Sequence, residues 1–201
     1  KILMAKRIFD ILFSIIGLIF FSPCFLIVSV LIKADSKGPV FYLQERVGRN
    51  GLLFKIIKFR SMIIDQKHNS KITTANDNRI TTIGKRIRKL KIDELPELIN
   101  ILIGNMSFVG PRPDVPGYAD LLEGKDRLIL KLKPGITSLA SLKYINEEAI
   151  LASVEDPIRY NKEVIFPDKV RLNLNYYHNH NIWIDIKVIF ATVFYILKKI
   201  F

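Results

Sequence analysis

Acidic and basic residues adjoin in the middle of this chain in a pattern that suits phosphate chemistry. Five cations fall within the seven residues 85–91. Three carboxylates follow within the next stretch, Asp93-Glu94-Leu95-Pro96-Glu97. Because a helix accepts proline only in its first turn, Pro96 predicts a helix that begins near Asp93. A helix N-terminus among cations can bind phosphates, and it can also hold an ionised carboxylate that attacks one. The alternative is that Asp93 is an N-cap and the cations are a solvated face.

The segments around this junction are predicted to position it. Residues 40–60 have the pattern of a β-hairpin with an Asn50-Gly51 turn. Residues 65–79 are polar, include Lys67 and His68, and predict a mobile loop. Thr82 is expected to cap a short helix that precedes the junction.

Further elements follow from the same patterns. The short helix is expected to place Ile83, Ile87 and Leu90 on one face. The helix from Asp93 is expected to end at Gly104. Residues 133–137 predict a turn into a strand, and residues 147–169 are expected to be helical in part.

A second candidate phosphate ligand is Arg112, which lies in Gly110-Pro111-Arg112-Pro113. Flanking prolines restrict its backbone, and a guanidinium on a stiff backbone suits bidentate phosphate binding. A surface-loop arginine is the alternative on spacing alone.

Composition narrows the class of protein. The chain is 49% hydrophobic and 25% charged, with a formal net charge of +12. That charge suits an anionic membrane surface, a polyphosphate substrate or nucleic acid. Cys24 is the single cysteine, which excludes an intrachain disulfide and fits a reducing cytoplasm. The sequence lacks a P-loop, a dinucleotide-binding glycine pattern and a nucleophilic serine motif, and one cysteine with three histidines argues against a zinc site.

An uncharged segment of 22 residues, 11–32, is long enough to cross a bilayer as a helix. Ser22-Pro23 lies at its centre, where proline removes a backbone hydrogen bond at a cost of roughly 3 kcal/mol. Basic residues flank both ends, which favours keeping both ends in the cytoplasm. On these residues alone, a re-entrant helix and a kinked spanning helix remain open.

A second apolar stretch covers residues 182–201. Its longest uncharged run, 188–197, has 10 residues and is too short to span. We expect an interfacial helix or a core helix, and Trp183 and Tyr195 suit either.

Over about residues 6–192, the chain resembles the bacterial sugar transferases, which are monotopic phosphoglycosyl transferases that begin glycoconjugate synthesis on a polyprenyl carrier. The resemblance rests on motifs in family order: Lys6-Arg7-Ile8-Phe9-Asp10, Ser22-Pro23, Lys58-Phe59-Arg60-Ser61-Met62, Leu90-Lys91-Ile92-Asp93-Glu94-Leu95-Pro96-Glu97, Gly110-Pro111-Arg112-Pro113, Lys133-Pro134-Gly135-Ile136-Thr137, and Tyr176, Asn179 and Asp185. After Thr137 the family usually has Gly-Leu-Ala-Gln, whereas this chain has Ser138-Leu139-Ala140-Ser141, so the sugar is left undetermined.

The resemblance implies an α+β fold of the minimal, single-domain form. Residues 1–35 would form a re-entrant membrane helix broken at Ser22-Pro23. Residues 36–201 would form a cytosolic catalytic domain with a β-hairpin and several helices, some at the membrane interface. The implied location is the bacterial inner membrane, with the catalytic domain on its cytoplasmic face.

The resemblance also implies a reaction. Asp93 would attack the sugar-bearing phosphorus of a UDP-sugar, UMP would leave, and polyprenyl phosphate would take the phosphosugar from Asp93. Asp93 would also be a ligand of Mg²⁺, while Glu94 would organise the metal site or accept a proton. The phosphate oxygens would be bound by Arg88, Arg112, Lys58 and Arg60.

The partners implied are a UDP-sugar, polyprenyl phosphate and membrane lipids, with no nucleic acid; a homo-oligomer is left open. Two other functions remain as alternatives. One is a peripheral membrane adaptor that binds anionic lipid, and the other is a nucleotide-sugar hydrolase.

Overall fold

The computed structural model describes residues 2–63 and 79–200, and these residues form helices and two small sheets. This mixture confirms the α+β class. The elements are α1 (Ile2–Phe20), α2 (Ser22–Asp35), β1 (Phe41–Val47), β2 (Leu53–Phe59), α3 (Thr82–Lys89), α4 (Glu97–Ile103), β3 (Ser107–Val109), β4 (Gly135–Thr137), α5 (Leu139–Lys143), α6 (Glu147–Ala152), α7 (Pro157–Tyr160), α8 (Phe166–Asn179) and α9 (Ile182–Ile200). The loop predicted at residues 65–79, with Lys67 and His68, falls almost wholly outside the described residues.

The first apolar segment is broken where the sequence predicts. Helices α1 and α2 meet at Phe21, and their axes bend by 59°. Pro23, in the first turn of α2, has no N–H for the carbonyl of Ile19, four residues earlier. The Ser22 hydroxyl donates to that carbonyl instead, at 2.7 Å. Among the described helices none is long and apolar enough to cross a membrane alone, although the bent pair has the length and composition to do so.

Polar side chains near the start of α1 fasten it to the rest of the fold. The Arg7 guanidinium donates to the carbonyls of Ile101 and Leu102, at 2.6 and 2.8 Å, and so caps the C-terminus of α4. Asp10 is buried and accepts a hydrogen bond from the Ser107 hydroxyl at 3.1 Å, which joins α1 to β3. The apolar helix is therefore attached to the elements that carry the acidic motif.

The predicted β-hairpin is confirmed. Strands β1 and β2 pair antiparallel from Phe41↔Phe59 to Val47↔Leu53. In the connection, Asn50 and Gly51 both have positive φ, 59° and 80°. These left-handed conformations explain the Asn-Gly pair.

One buried side chain of helix α4 is hydrogen-bonded to the backbone of β2. The Asn100 amide accepts from the Ile57 N–H at 2.9 Å and donates to the Lys55 carbonyl at 2.8 Å. Leu98 and Ile101 bury the same helix in the core. Gly104, with φ of 99°, ends α4 as predicted.

Helix α3 differs by one residue from its prediction. Its N-cap is Thr81, whose hydroxyl accepts from the Gly84 N–H at 2.9 Å, so the predicted cap at Thr82 is wrong. Thr81 has the extended backbone typical of a cap, and Thr82 is already helical. Ile87 is buried as expected, but Leu90 is 38% exposed because the helix ends at Lys89.

The C-terminal half supplies the remaining support. β3 and β4 pair parallel, in the register Ser107↔Gly135 and Val109↔Thr137, which confirms the strand predicted after residue 133. Helices α6, α7 and the start of α8 confirm that residues 147–169 are partly helical.

Helix α9 is amphipathic, with one face in the core and one exposed. Val188 and Asp185 are buried, whereas Trp183, Phe190 and Phe194 are each 71% exposed. Asp185 pairs with Lys6 of α1, and it accepts a hydrogen bond from the Tyr176 hydroxyl. Lys6 also donates to the Val109 carbonyl at 3.0 Å. The start of α1 is thereby joined to α8, α9 and β3.

Candidate active site

Asp93 lies in a single 3₁₀ turn, Ile92–Glu94, between α3 and α4. The prediction of one helix starting near Asp93 is therefore corrected: the α-helix begins at Glu97, and Asp93 is not its N-cap. Lys91, in the left-handed conformation with φ of 58°, separates α3 from this turn. The position of Asp93 is therefore set by this short turn and not by helix α4.

The Asp93 carboxylate is buried and incompletely satisfied. The residue is 7% exposed, and its Oδ1 has no hydrogen-bond partner among the described residues. Burial raises the pKa of Asp93, and the neighbouring Glu94 raises it further, while Lys58, Lys91 and Arg88 oppose the shift. A carboxylate with a free oxygen, near several cations, is suited to attack an electrophilic phosphorus.

Glu94 is in the opposite state, because its carboxylate is ion-paired on two sides. Its Oε1 accepts from Lys58 Nζ at 3.0 Å and from Arg112 Nη2 at 2.5 Å. Burial alone would raise the pKa of Glu94, but Arg112 and Lys58 hold it well below its usual range. Glu94 is therefore ionised at neutral pH, and it orders two cations beside Asp93.

Glu97 joins the same cluster, although sequence reasoning gave it no role. It is 1% exposed at the first residue of α4, and its Oε1 lies 3.1 Å from Lys58 Nζ. Burial raises the pKa of Glu97 to about 7, against the lowering effect of Lys58. The available signal was spacing: residues 97 and 100 share a helix face, and Asn100 binds the strand that carries Lys58.

Arg112 is brought to the cluster by the proline-flanked segment. Its side chain is 45% exposed and uses Nη2 on Glu94. Several of its five N–H donors therefore remain available to an incoming anion. This arrangement fits the predicted phosphate-binding role.

The two other predicted phosphate ligands near Asp93, Lys58 and Arg88, differ in how they are already paired. Lys58 belongs to β2 and is held between two carboxylates, so it reaches the site but is already paired. Arg88 belongs to the last turn of α3, with Nη1 3.9 Å from Met62 Sδ, and its charge acts on Asp93. Both predicted ligands therefore lie within electrostatic reach of Asp93.

Arg60 has a different position. It is buried, and its guanidinium donates to the carbonyls of Ser36, at 2.7 Å, and Lys37. Ser36 and Lys37 directly follow helix α2, and Nη2 also donates to the Ile32 carbonyl in its last turn at 3.4 Å, so Arg60 caps the C-terminal end of α2. Both terminal nitrogens of Arg60 are therefore occupied, which argues against the predicted phosphate-binding role.

The site can be tested for the predicted Mg²⁺. Within residues 2–63 and 79–200, no group of three or more His, Cys, Asp or Glu side chains is arranged to hold a metal. Mg²⁺ needs no such cage, because it commonly binds one or two carboxylates together with substrate phosphates and water. The free Oδ1 of Asp93 supplies one oxygen of that kind. The donor set therefore fits a Mg²⁺ ion that arrives with a diphosphate.

A cleft of about 1970 Å³ adjoins the cluster. Asp93, Glu94 and Arg112 contribute its charged lining, and Phe13 of α1 and Phe190 of α9 contribute to its apolar lining. Charged reacting groups and apolar surface thus border the same space, which suits a substrate with a phosphate head and a hydrocarbon tail.

Comparison with known proteins identifies the family of this chain. The profile described as bacterial sugar transferase matches residues 2–199. The chain therefore belongs to the bacterial sugar transferase family.

Three relatives illustrate the range of sequence identity and of chain length among the similar proteins. A UDP-glucose:undecaprenyl-phosphate glucose-1-phosphate transferase of Klebsiella pneumoniae is 40% identical over 195 residues, covering 94% of this chain and 39% of the relative. The exopolysaccharide production protein PSS of Rhizobium leguminosarum bv. phaseoli is 37% identical over 201 residues, covering 95% of this chain and 94% of the relative. The exopolysaccharide production protein ExoY of Rhizobium meliloti (strain 1021) is 32% identical over 206 residues, covering 94% and 84%. Several relatives are longer than this chain, which spans only 35–42% of the length of three of them, the Klebsiella pneumoniae transferase included.

Proposed function

We propose that this protein transfers a sugar 1-phosphate from a UDP-sugar to polyprenyl phosphate, giving a polyprenyl-diphosphate sugar and UMP. The observation that carries the proposal is the buried Oδ1 of Asp93, which has no hydrogen-bond partner within residues 2–63 and 79–200, beside the paired carboxylate of Glu94. The names of several relatives describe transfer of glucose 1-phosphate or a related group to undecaprenyl phosphate, which supports the same general reaction here.

The reaction would proceed in two displacements at Asp93. In the first, a carboxylate oxygen forms a bond to the sugar-bearing phosphorus, and the bond from that phosphorus to the UMP oxygen breaks. In the second, an oxygen of polyprenyl phosphate attacks the same phosphorus, and the bond to Asp93 breaks, which restores the carboxylate. A covalent intermediate divides one difficult transfer into two easier ones.

The cations around Asp93 would bind and orient the diphosphate. Arg112 has donors open to the cleft, and Arg88 lies within electrostatic reach of Asp93. Phosphoryl transfer depends mainly on positioning and on neutralising the developing charge. Asp93 would also hold Mg²⁺, which when bound supplies charge neutralisation at the phosphate oxygens. Glu94 would keep Lys58 and Arg112 in place throughout.

The membrane-facing parts would bring the lipid acceptor to this site. Many apolar side chains of α1 and α2 are exposed, as are Trp183, Phe190 and Phe194 of α9. We infer that the bent pair enters one leaflet and returns, and that α9 lies in the interface of the same leaflet. This arrangement would place the catalytic part on the cytoplasmic face of the inner membrane, where it meets polyprenyl phosphate and membrane lipids.

The test is a panel of UDP-sugars offered to the protein in lipid vesicles with Mg²⁺, with and without polyprenyl phosphate. With the acceptor, one or more sugars should give many turnovers of UMP release. Without it, UMP should appear once per site, and a peptide containing Asp93 should gain the mass of the phosphosugar. Continuous release of sugar phosphate without acceptor would indicate a hydrolase, and lipid binding with no UMP from any sugar would indicate an adaptor.

A further inference from the structure

The buried carboxylate of Glu97 serves neither as nucleophile nor as a phosphate ligand in the reaction above. Its surroundings are charged from every side. Lys58 faces it from β2, Glu94 from the 3₁₀ turn, Arg112 from the proline-flanked segment and Arg46 from β1. A fully buried carboxylate in such a place is costly unless it is paired, so its partner indicates its role.

That partner is Lys58, which Glu97 shares with Glu94. Lys58 Nζ lies 3.0 Å from Glu94 Oε1 and 3.1 Å from Glu97 Oε1. The contact with Glu97 is an ion pair without hydrogen-bond geometry, whereas the contact with Glu94 is a hydrogen bond. The ammonium is thus held between two carboxylates, and its position depends on both.

The fold fixes Glu97 in that place. Asn100, one turn further along α4, binds the Lys55 carbonyl and the Ile57 N–H of β2. Glu97 shares a helix face with Asn100, so it is directed at the following residue of the same strand, Lys58. The contact is therefore set by the packing of α4 on β2, and it requires no loop movement.

We propose that Glu97 is a positioning residue for the transfer, which holds Lys58 between two carboxylates and so keeps the positive charge beside Asp93 from becoming excessive. With Glu97 ionised, the two negative charges of Glu94 and Glu97 neutralise the two positive charges of Lys58 and Arg112. The Asp93 carboxylate is then not neutralised by these cations and can attack the phosphorus. With Glu97 neutral, one positive charge is left over. Lys58 then pairs with Glu94 alone, and the surplus charge makes the Asp93 carboxylate less nucleophilic while it binds the anionic donor more tightly.

This inference rests on the proposed transferase function and predicts a distinctive kinetic pattern for Glu97→Gln, which keeps the shape and removes the charge. At pH 8, kcat and KM for the UDP-sugar should both fall, each by about fivefold. A single uncompensated charge near the site is expected to change binding and rate by somewhat less than a factor of ten. A purely structural role would lower the active fraction and leave KM unchanged.

The experiment measures UMP release against pH, from 5.5 to 9, with polyprenyl phosphate present. In the wild type, kcat should fall as the pH drops through the region near 7, because Glu97 is then protonated. In Glu97→Gln, this step should be absent. Glu163→Gln is the matched control, since Glu163 is an exposed glutamate paired with Arg159, and it should behave as the wild type.

Glu97→Asp gives a second test that keeps the charge but shortens the reach to Lys58. It should retain the pH step and lose part of kcat. If Glu97→Gln keeps the wild-type KM and pH profile, or if Glu97→Asp loses the pH step, Glu97 does not position Lys58. Both outcomes require an active wild type, so they are distinct from failure of the proposed function, in which no UDP-sugar is turned over by any form.

Discussion

Asp93 and Glu94 are neighbours in one 3₁₀ turn, yet their carboxylates are in opposite electrostatic states. Glu94 accepts from both Lys58 and Arg112, whereas Asp93 Oδ1 has no hydrogen-bond partner among the described residues. The pKa of Glu94 is held well below its usual range, and burial raises that of Asp93. Environment thus divides the two roles: Glu94 orders the cations, and Asp93 is left with an oxygen that can react.

The first prediction separates these roles. Asp93→Asn should reduce UMP release by about a thousandfold or more, because an amide cannot form the covalent intermediate. It should not unfold the protein, since it keeps the side-chain shape and Oδ1 makes no hydrogen bond to any described residue. Glu94→Gln should retain some covalent labelling of Asp93 but bind donor poorly. Turnover and thermal melting of both variants provide the measurement, and near-normal turnover of Asp93→Asn would place the nucleophile elsewhere.

The second prediction concerns the arginines. Arg112→Ala should lower kcat/KM by about 10²-fold, since it removes charge-assisted hydrogen bonds to the diphosphate and a partner of Glu94. Arg112→Lys should recover only part of this, because a lysine cannot bind two oxygens in one plane. Arg88→Ala should also weaken turnover. Arg159→Ala, at an exposed pair, is the control, and equal losses in all of these variants would indicate a general effect of surface charge.

Local patterns predicted the elements well. The Asn50-Gly51 turn, the break at Ser22-Pro23 and the end of α4 at Gly104 each depend on a backbone conformation that few residue types adopt. Such signals are contained in two or three adjacent residues. For the same reason the error at Thr81 was only one residue, because two adjacent threonines are equally good caps in sequence.

Side-chain partners in the site were harder to predict. The family motif that contains Lys58 and Arg60 predicts phosphate binding for both, but Arg60 follows the end of β2 at Phe59, and its terminal nitrogens bind carbonyls at the end of α2. The pairing of Glu97 with Lys58 joins residues 39 positions apart by number and depends on how α4 packs on β2. Contacts of this kind follow from tertiary packing, which no local pattern encodes.

The third prediction links Glu97 to stability. Burial raises its pKa from 4.5 to about 7, so the folded state disfavours the charged form. The resulting decrease in the free energy of unfolding is absent below pH 4.5, grows as the pH rises toward 7, and is constant above pH 7. Glu97→Gln should therefore be more stable than the wild type at pH 8, by roughly 1–3 kcal/mol, with the difference vanishing toward pH 5. Thermal unfolding of both proteins at several pH values measures this, and a difference independent of pH would contradict it.

The fourth prediction concerns the bend itself. Pro23→Ala should restore the N–H that can bond the Ile19 carbonyl, which the Ser22 hydroxyl now occupies. The variant should straighten toward a continuous helix of about 30 Å or more, enough to cross a bilayer. Ser22→Ala alone should keep the bend, since Pro23 still lacks its donor. The straightened and the bent forms are distinguished by the side of the membrane on which the start of α1 lies.

That readout uses cysteines at Met4 and Lys37 in a Cys24→Ser background. Both positions are exposed and lie near the outer ends of α1 and α2, whereas Lys6 is committed to Asp185 and is a poor choice. A membrane-impermeant thiol reagent should leave both cysteines unlabelled in sealed cells and label both after the cells are opened. In the Pro23→Ala background, the cysteine at position 4 alone should become reactive in sealed cells. If position 4 is labelled in sealed cells without that substitution, α1 and α2 form a kinked spanning helix, and the re-entrant arrangement has to be abandoned.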